Sequence, residues 1–124
     1  MARPKTNGPT DYELEILSVL WAQSPLSVGE LLERLNRTPK PAYTSLLTIV
    51  RSMEVKGFLK HTQEGKAFLY SPVLKKAKYK RSEIKRVADR LFGGSTVELA
   101  VNLISEEKLT TEEIEKLKKI LEGL

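Results

Sequence analysis

The sequence predicts a mainly α-helical chain that contains one small β-hairpin. Hydrophobic residues make up 40% of the 124 positions and aromatic residues only 6%, a composition that suits a helix-rich protein. The periodicity changes from helical spacing to strand-like alternation between residues 58 and 71. Four hydroxyl residues are each followed three positions later by glutamate, the capping-box pattern of a helix start. These pairs are Thr10 and Glu13, Ser27 and Glu30, Ser95 and Glu98, and Thr110 and Glu113.

Three helices are expected in the first half of the chain. The first covers about 10–23 and the second about 27–36, and each begins at a capping box. The third follows Pro39 and Pro41, because proline fits a first helical turn but not a helix interior. It ends at Gly57, where glycine can adopt the left-handed C-terminal conformation. Apolar residues recur at helical spacing in the first two helices, at Leu14, Leu17, Trp21, Leu31, Leu32 and Leu35.

A hairpin is expected next. Residues 58–62 and 66–71 are predicted to form two short strands around a tip at 63–65, where Gly65 supplies a positive φ angle. Pro72 closes the second strand. The order helix, helix, helix, hairpin over residues 1–72 is that of a winged helix-turn-helix, which predicts a DNA-binding domain. Its first nine residues are expected to form a flexible basic arm.

Residues 73–124 are predicted to form a helical dimerisation domain. A long basic helix covers about 75–91 and stops at Gly93 and Gly94, and shorter helices follow over about 95–104 and 110–122. The apolar side chains of this region exceed what three short helices of one chain can hide, which favours a two-fold homodimer. The alternative is that they pack back on the winged helix. They are Leu91, Phe92, Val97, Val101, Leu103, Ile104, Ile114, Leu117, Ile120, Leu121 and Leu124.

The composition excludes several classes of site. The chain has no cysteine, which excludes disulfides, zinc-thiolate sites, iron–sulfur clusters and cysteine nucleophiles. One histidine, His61, leaves almost no material for a metal site or a Ser-His-Asp site. We therefore expect no metal or cofactor, and no enzyme. No apolar run approaches the ~20 residues of a membrane span, and no signal-peptide pattern opens the chain, so a cytoplasmic protein without membrane contact is expected.

The net charge of +5 is unevenly distributed. Residues 1–41 carry five basic and five acidic side chains and balance to zero, whereas residues 42–93 carry twelve basic and four acidic side chains, a balance of +8. Residues 94–124 balance to −3, from four basic and seven acidic side chains. A basic centre indicates a polyanionic partner such as double-stranded DNA. A solvated lysine face is the plain alternative.

The third predicted helix has an apolar face and a polar face at ~100° per residue. Leu46, Ile49, Val50 and Met53 form the predicted core face. The opposite face is short and polar, so it can enter the ~12 Å major groove, where hydroxyls and a guanidinium reach base edges or phosphates. The alternative is an ordinary solvated face, for which threonine and serine are mediocre helix formers. The candidate DNA-binding residues of this face are Thr44, Ser45, Thr48, Arg51 and Ser52.

The predicted hairpin adds three candidate DNA-binding residues, Lys60, His61 and Lys66. They are expected around the tip, where a wing can lie against phosphates. Lysines on an edge strand also serve to block sheet-to-sheet aggregation. His61 is expected to be an exposed strand residue or a phosphate contact rather than a metal ligand, because no second ligand is near it. At least one of Phe68 and Tyr70 is expected in the core.

Six short motifs carry a family resemblance that spans residues 10–122. They are Thr10-Asp11-Tyr12-Glu13 through Leu20-Trp21, Leu26-Ser27-Val28 with Glu30-Leu31, Tyr43-Thr44 with Leu47-Thr48, Lys56-Gly57-Phe58, Gly65-Lys66-Ala67 with Tyr70 and Pro72, and Leu91-Phe92-Gly93-Gly94-Ser95. In this order they resemble the BlaI/MecI family of penicillinase repressors. The resemblance implies a homodimeric repressor that binds an inverted-repeat operator, often upstream of β-lactamase or resistance genes. The cysteines of the copper-responsive branch are absent, which argues against copper sensing.

The resemblance also implies a route of inactivation. Members of the family are cut by a regulatory protease at an Asn-Phe bond in the first dimerisation helix, after a membrane sensor detects a β-lactam. The matching residues here are Asn102 and Leu103, so leucine replaces phenylalanine. The alternative is that Asn102 is an ordinary polar helix residue.

Two interpretations from other classes stay open. One is a winged helix used only as a protein-interaction module, which would not need the basic centre. The other is a ligand-sensing regulator with a small-molecule pocket between its dimerisation helices, for which the sequence shows no polar or aromatic cluster within an apolar face.

Overall fold

The computed structural model describes residues 8–124 of the chain. Residues 1–7, most of the expected basic arm, lie outside the described residues. Within the described part, three helices, a hairpin and three further helices follow one another, as predicted. Their bounds are α1 Asp11–Ala22, α2 Val28–Arg34, α3 Tyr43–Val55, β1 Leu59–Glu64, β2 Ala67–Pro72, α4 Lys76–Leu91, α5 Thr96–Glu106 and α6 Thr111–Glu122.

The chain divides into two compact units. The first ends at Tyr79, and the second covers Lys80–Leu124. The division falls inside α4, and the predicted domain boundary at residue 72 stays a prediction. Among residues 8–124, no helix is both long enough and apolar enough to cross a bilayer.

Side-chain caps begin four of the helices at the predicted residues. The Thr10 hydroxyl accepts the Glu13 N–H at 3.2 Å, and the Glu13 carboxylate accepts the Thr10 N–H at 2.9 Å. The boxes at Ser27 and Thr110 are complete in the same way. At Ser95 only the hydroxyl bond forms. The fourth predicted box is therefore only half formed. The ψ angle of Ser95 is 107°, against 162° to 171° for the cap residues of the three complete boxes.

The core of the first unit lies between α1, α2, α3 and the hairpin. The predicted face of α3 is buried at Leu46, Val50 and Met53, whereas Ile49 is only half-buried. On α1, Leu17 is buried, whereas Leu14 and Trp21 are half-buried at the edge of the core. The buried cluster consists of Ile16, Leu17, Leu20, Leu26, Val28, Leu31, Leu35, Leu46, Val50, Met53, Leu59 and Tyr70.

Trp21 lies at the core edge for a chemical reason. Its indole N–H needs an acceptor when it leaves water. It donates to the Leu74 carbonyl at 2.8 Å, just beyond the hairpin. The ring also lies 6.0 Å from the Tyr79 ring, between centroids. These contacts connect α1 to the chain that leaves the hairpin.

The hairpin is antiparallel, with Leu59 opposite Pro72 and Glu64 opposite Ala67. Its turn is Gly65–Lys66, so the predicted tip at 63–65 is wrong by about one residue, although Gly65 has the predicted positive φ, at 60°. The shift occurs because β1 continues through Glu64 before the chain reverses. On the other edge of β2, Tyr70 exchanges two backbone hydrogen bonds with Leu26, at 2.8 and 3.0 Å.

The second unit has little interior of its own. Ala88 is its one buried hydrophobic residue, and α5 and α6 contain none. Phe92 and Leu117 are half-buried. The other apolar side chains of the predicted dimerisation surface are exposed in the single chain, at Leu91, Val97, Val101, Leu103, Ile104, Ile114, Ile120, Leu121 and Leu124.

Candidate nucleic-acid interface

The outer face of α3 presents short polar side chains to solvent. Burial of Leu46, Val50 and Met53 on the opposite side determines which face points outward. The Thr48 hydroxyl donates to the Thr44 carbonyl at 3.0 Å, so its oxygen remains an acceptor for a partner. All five expected residues of the face are exposed, namely Thr44, Ser45, Thr48, Arg51 and Ser52.

A groove of about 420 Å³ lies between α3 and the hairpin. Tyr43, Leu47 and Arg51 line it from α3, and Lys66 and Phe68 line it from the hairpin. Two of the predicted cations, one from each element, therefore face the same groove. The remaining lining residues are Ser27, Val28, Gly29, Ala67 and Tyr70.

Tyr70 joins this groove to the core, because it is 1% exposed and still lines the groove. Burial raises the pKa of Tyr70, and the nearby charge of Glu54 raises it further. The charge and side-chain hydrogen bond of Arg51 oppose that rise. Arg51 thus lies beside the neutral phenol of Tyr70. This contact uses few of the five N–H donors of Arg51 and leaves the others for a partner.

The hairpin places one of its three basic candidates at the tip. Lys66 lies in the two-residue turn. Lys60 pairs with Ser71 and His61 with Tyr70, close to the opposite end of the ladder. The expectation that all three surround the tip is therefore wrong.

His61 contacts the last turn of α3. Its Nδ1 atom lies 2.8 and 2.7 Å from the two carboxylate oxygens of Glu54. Its ring stacks on Phe68, with 4.3 Å between ring centroids. Residue pattern alone does not predict this contact, because Glu54 reaches the strand only after the chain turns at Gly57, which has a φ of 89°.

Two exposed aromatic residues of the groove were not predicted as site residues. Tyr43 is 51% exposed and Phe68 is 38% exposed. Tyr43, Leu47 and Arg51 are spaced four residues apart and therefore share one stripe of the helix. That spacing was available in the sequence. The position of Phe68 depends on the hairpin register, which residue pattern alone did not determine.

No metal site accompanies this interface in the described part of the chain. Among residues 8–124, no group of three or more histidine, aspartate or glutamate side chains could hold an ion.

Comparison with known families decides the affiliation of the chain. The family described as Penicillinase repressor matches residues 9–123, nearly the whole chain. The chain belongs to the penicillinase repressor family.

This member of the penicillinase repressor family has relatives of similar length. It is 31% identical over 117 residues to the Penicillinase repressor of Bacillus licheniformis, with 91% of this chain and 88% of that protein covered. It is 23% identical over 117 residues to the Methicillin resistance regulatory protein MecI of Staphylococcus aureus strain N315, with 94% and 95% covered. Both matches include the winged-helix unit and the C-terminal helices.

Solved structures show the same fold. The solution structure of the DNA binding domain of the repressor BlaI matches with a TM-score of 0.52 and 28% identity, covering 62% of this chain and 94% of that one. A MarR family protein from Bacillus stearothermophilus matches with a TM-score of 0.54 and 22% identity, covering 95% and 74%, and this likeness concerns the fold alone. The predicted mainly α fold with a hairpin wing is confirmed.

Proposed function

We propose that this member of the penicillinase repressor family is a DNA-binding transcriptional repressor and not an enzyme. In this proposal it acts in the cytoplasm on double-stranded DNA. Family membership and the likeness to the DNA binding domain of BlaI support it. The observation that carries the proposal is the exposed polar face of α3, which continues into a groove lined by Arg51 and Lys66.

In this proposal α3 enters the major groove. Thr48 accepts a hydrogen bond from a base edge or contacts a thymine methyl, and Arg51 donates to a guanine edge or a phosphate. Lys60 and Lys66 bind phosphates and so position the wing. His61 contacts a phosphate only through its second ring nitrogen, because Nδ1 faces Glu54. Thr44, Ser45 and Ser52 complete the surface that faces the groove.

The repressor is proposed to act as a homodimer. Its α5 and α6 bury none of their residues in the single chain. A second copy would cover their apolar side chains, and each Å² of apolar surface removed from water would stabilise the dimer by about 25 cal/mol. A two-fold dimer presents two winged helices to the half-sites of an inverted repeat. Residues 1–72 then form the DNA-binding domain and residues 73–124 the dimerisation domain. The proposed interface comprises Leu91, Phe92, Val97, Val101, Ile104, Ile114, Leu117 and Leu121.

The proposed operator controls β-lactamase or resistance genes. The repressor is proposed to be inactivated by a protease that cuts between Asn102 and Leu103. Both residues are exposed on α5. A protease needs extended backbone, so α5 must unwind locally. Unwinding costs least in a copy that has left the dimer, because α5 buries none of its residues in the single chain. The cut would separate α6 from the winged helix. Each winged helix would then bind its half-site alone, without the higher effective concentration that linkage to a second winged helix gives. An intact 14.0 kDa chain alongside derepressed genes after a β-lactam challenge would rule cleavage out and indicate another inducer.

The test of DNA binding is selection followed by titration. Fragmented genomic DNA retained by the purified protein is sequenced, and the enriched duplex is compared with a random duplex. We expect the logarithm of affinity to fall with the logarithm of salt at about −0.9 per phosphate contact. Binding that is indifferent to salt, or no enriched sequence, would contradict the proposal.

Variants then separate base contacts from phosphate contacts. Thr48→Ala or Arg51→Ala is expected to cost ~1–3 kcal/mol on the enriched duplex and to relax discrimination. Lys66→Ala is expected to weaken both duplexes about equally and to lower the salt slope. Lys118→Ala on α6 is the matched control, since it removes an exposed lysine of the second unit and should change neither quantity.

A further inference from the structure

The C-terminal end of α3 is attached to α1 by one ion pair. Lys56, the C-cap residue of α3, lies with its Nζ atom 2.7 Å from the Glu13 carboxylate. The residues are 43 positions apart in the chain. Only 6% of the Glu13 side chain is exposed, against 39% for Lys56.

The Glu13 carboxylate is held in place by more than its lysine. Its other oxygen accepts the Thr10 N–H at 2.9 Å, as part of the α1 capping box. A carboxylate bound from two sides cannot follow the lysine if α3 tilts, so the pair has one favoured geometry. Burial raises the pKa of Glu13, but the hydrogen bonds from Lys56 and Thr10 and the charge of Lys56 outweigh it, so the pKa lies below its ordinary value.

The position of the pair in the fold gives it a second role. Lys56 precedes Gly57, the residue at which the chain turns from α3 into the hairpin. Two backbone bonds fix this joint, from the Phe58 N–H to Met53 at 2.9 Å and from the Val73 N–H to Phe58 at 2.8 Å. A shift at Lys56 therefore moves α3 and the wing together. Because α3 has 13 residues and is about 20 Å long, a tilt of a few degrees displaces its far end by about 1 Å.

Another ion pair joins α1 to the segment that precedes α3. Arg37, in the segment between α2 and α3, binds both oxygens of Glu15 at 2.9 and 3.2 Å and lies 4.0 Å above the Tyr12 ring. This pair is more exposed, at 38% for Arg37 and 42% for Glu15. Exposed pairs contribute little on average, so the Glu13–Lys56 pair is the stronger candidate for control of the α3 direction.

We propose that Glu13 and Lys56 are positioning residues of the DNA interface. The pair fixes the joint between α3 and the wing on α1, and so sets the direction in which the outer face of α3 points. Neither side chain needs to touch DNA for this role. The inference rests on the proposed function, since it concerns how well one sequence is distinguished from another.

The test uses a charge change whose direct electrostatic effect leaves the ratio of affinities unchanged, whereas the proposed effect lowers that ratio. Glu13→Gln removes a negative charge, so simple electrostatics predicts tighter binding to every duplex. The amide can still accept the Thr10 N–H, which preserves the cap. If the pair positions α3, the ratio of affinities for the enriched and random duplexes instead falls, by about 3- to 30-fold. Glu33→Gln, an exposed carboxylate on α2, is the matched control and should leave the ratio unchanged.

Lys56 variants provide the second arm. Lys56→Gln is expected to lower the ratio as Glu13→Gln does, and the double variant no further than either single variant. Lys56→Arg keeps the ion pair and should restore the ratio. The salt slope should be unaltered throughout, because no phosphate contact is removed.

Three results would overturn the inference. An unchanged ratio in folded variants whose unfolding midpoint is lower would make the pair a stabilising contact only. Equally tighter binding of Glu13→Gln to both duplexes, with an unchanged ratio, would leave only the direct effect of the charge. A lower salt slope for Lys56→Gln would make Lys56 a phosphate contact. Failure of the unaltered protein to enrich any duplex is a separate outcome, which contradicts the proposed function itself.

Discussion

The two units of this repressor start their helices alike but differ in what the helices bury. Thr10 and Thr110 form the same capping box, one in each unit. Among the described residues of the first unit, twelve apolar residues make one buried cluster, whereas α5 and α6 bury none. Local hydrogen bonds therefore suffice to mark a helix, but packing decides whether a set of helices forms a stable fold. The second unit has the helices of a domain without the interior of one.

The largest expected effect comes from deleting the same side chain in both units. Leu46→Ala removes a fully buried leucine from α3 and should lower the free energy of unfolding by ~2–5 kcal/mol. Leu121→Ala removes a leucine that is 65% exposed and should change the free energy of unfolding of the first unit by less than about 0.5 kcal/mol. Urea titration followed by the fluorescence of Trp21 measures the free energy of unfolding of both variants. Equal losses would show that the two units share one interior.

A second substitution tests the exposed surface of the second unit. Leu121→Gln should weaken the proposed self-association by about a hundredfold or more, because each of the two copies loses a leucine whose burial is worth ~1.5–3 kcal/mol. Glu122→Gln creates the same side chain at the next position and is the matched control. Sedimentation equilibrium gives the dissociation constant of each variant. If both variants associate like the unaltered protein, another surface holds the copies together.

The same contrast separates what the sequence predicted from what it did not. Helix starts were predictable, because a cap depends on residues three positions apart. The turn of the hairpin was misplaced by about one residue, since either position of the turn keeps Gly65 at a positive φ. The Glu13–Lys56 and His61–Glu54 contacts were not predicted, because they depend on how α3 crosses α1 and meets β1. The outer face of α3 was predicted from helical periodicity, whereas the groove beside it required the register of the strands.

The caps offer a smaller comparison between the units. Thr10→Ala should lower the free energy of unfolding by about 1 kcal/mol, because it leaves the Glu13 N–H without its acceptor at the edge of a packed unit. Ser95→Ala removes the single bond of a half-formed box on an exposed helix, and should lower it by less. Thermal unfolding of the two variants provides the measurement. A larger loss for Ser95→Ala would mean that the second unit limits stability.

The smallest expected effect concerns acid. The pKa of Glu13 is lowered below its ordinary value of 4.5, because the bonds to Lys56 and Thr10 outweigh the opposing effect of burial. Its contribution to stability is therefore complete above about pH 4.5 and is lost as the pH falls through the folded-state pKa. Glu13→Gln should be less stable than the unaltered protein at pH 7 and should lose less on acidification.

A carboxylate of the second unit sharpens this prediction. The hydrogen bond and charge of Arg86 also lower the pKa of Glu83, but the pair lies on the surface of α4, 2.8 Å apart and only three residues along the same helix. Such a pair survives in a helix that has lost its tertiary packing, so it distinguishes the folded from the unfolded state weakly. Glu83→Gln should leave the slope of stability against pH nearly unchanged, whereas Glu13→Gln flattens it, because only Glu13 depends on contact between two helices. The free energy of unfolding is measured by urea titration between pH 7 and pH 3. If both variants flatten its dependence on pH equally, the two pairs contribute equally to stability, which would contradict the contrast between the units.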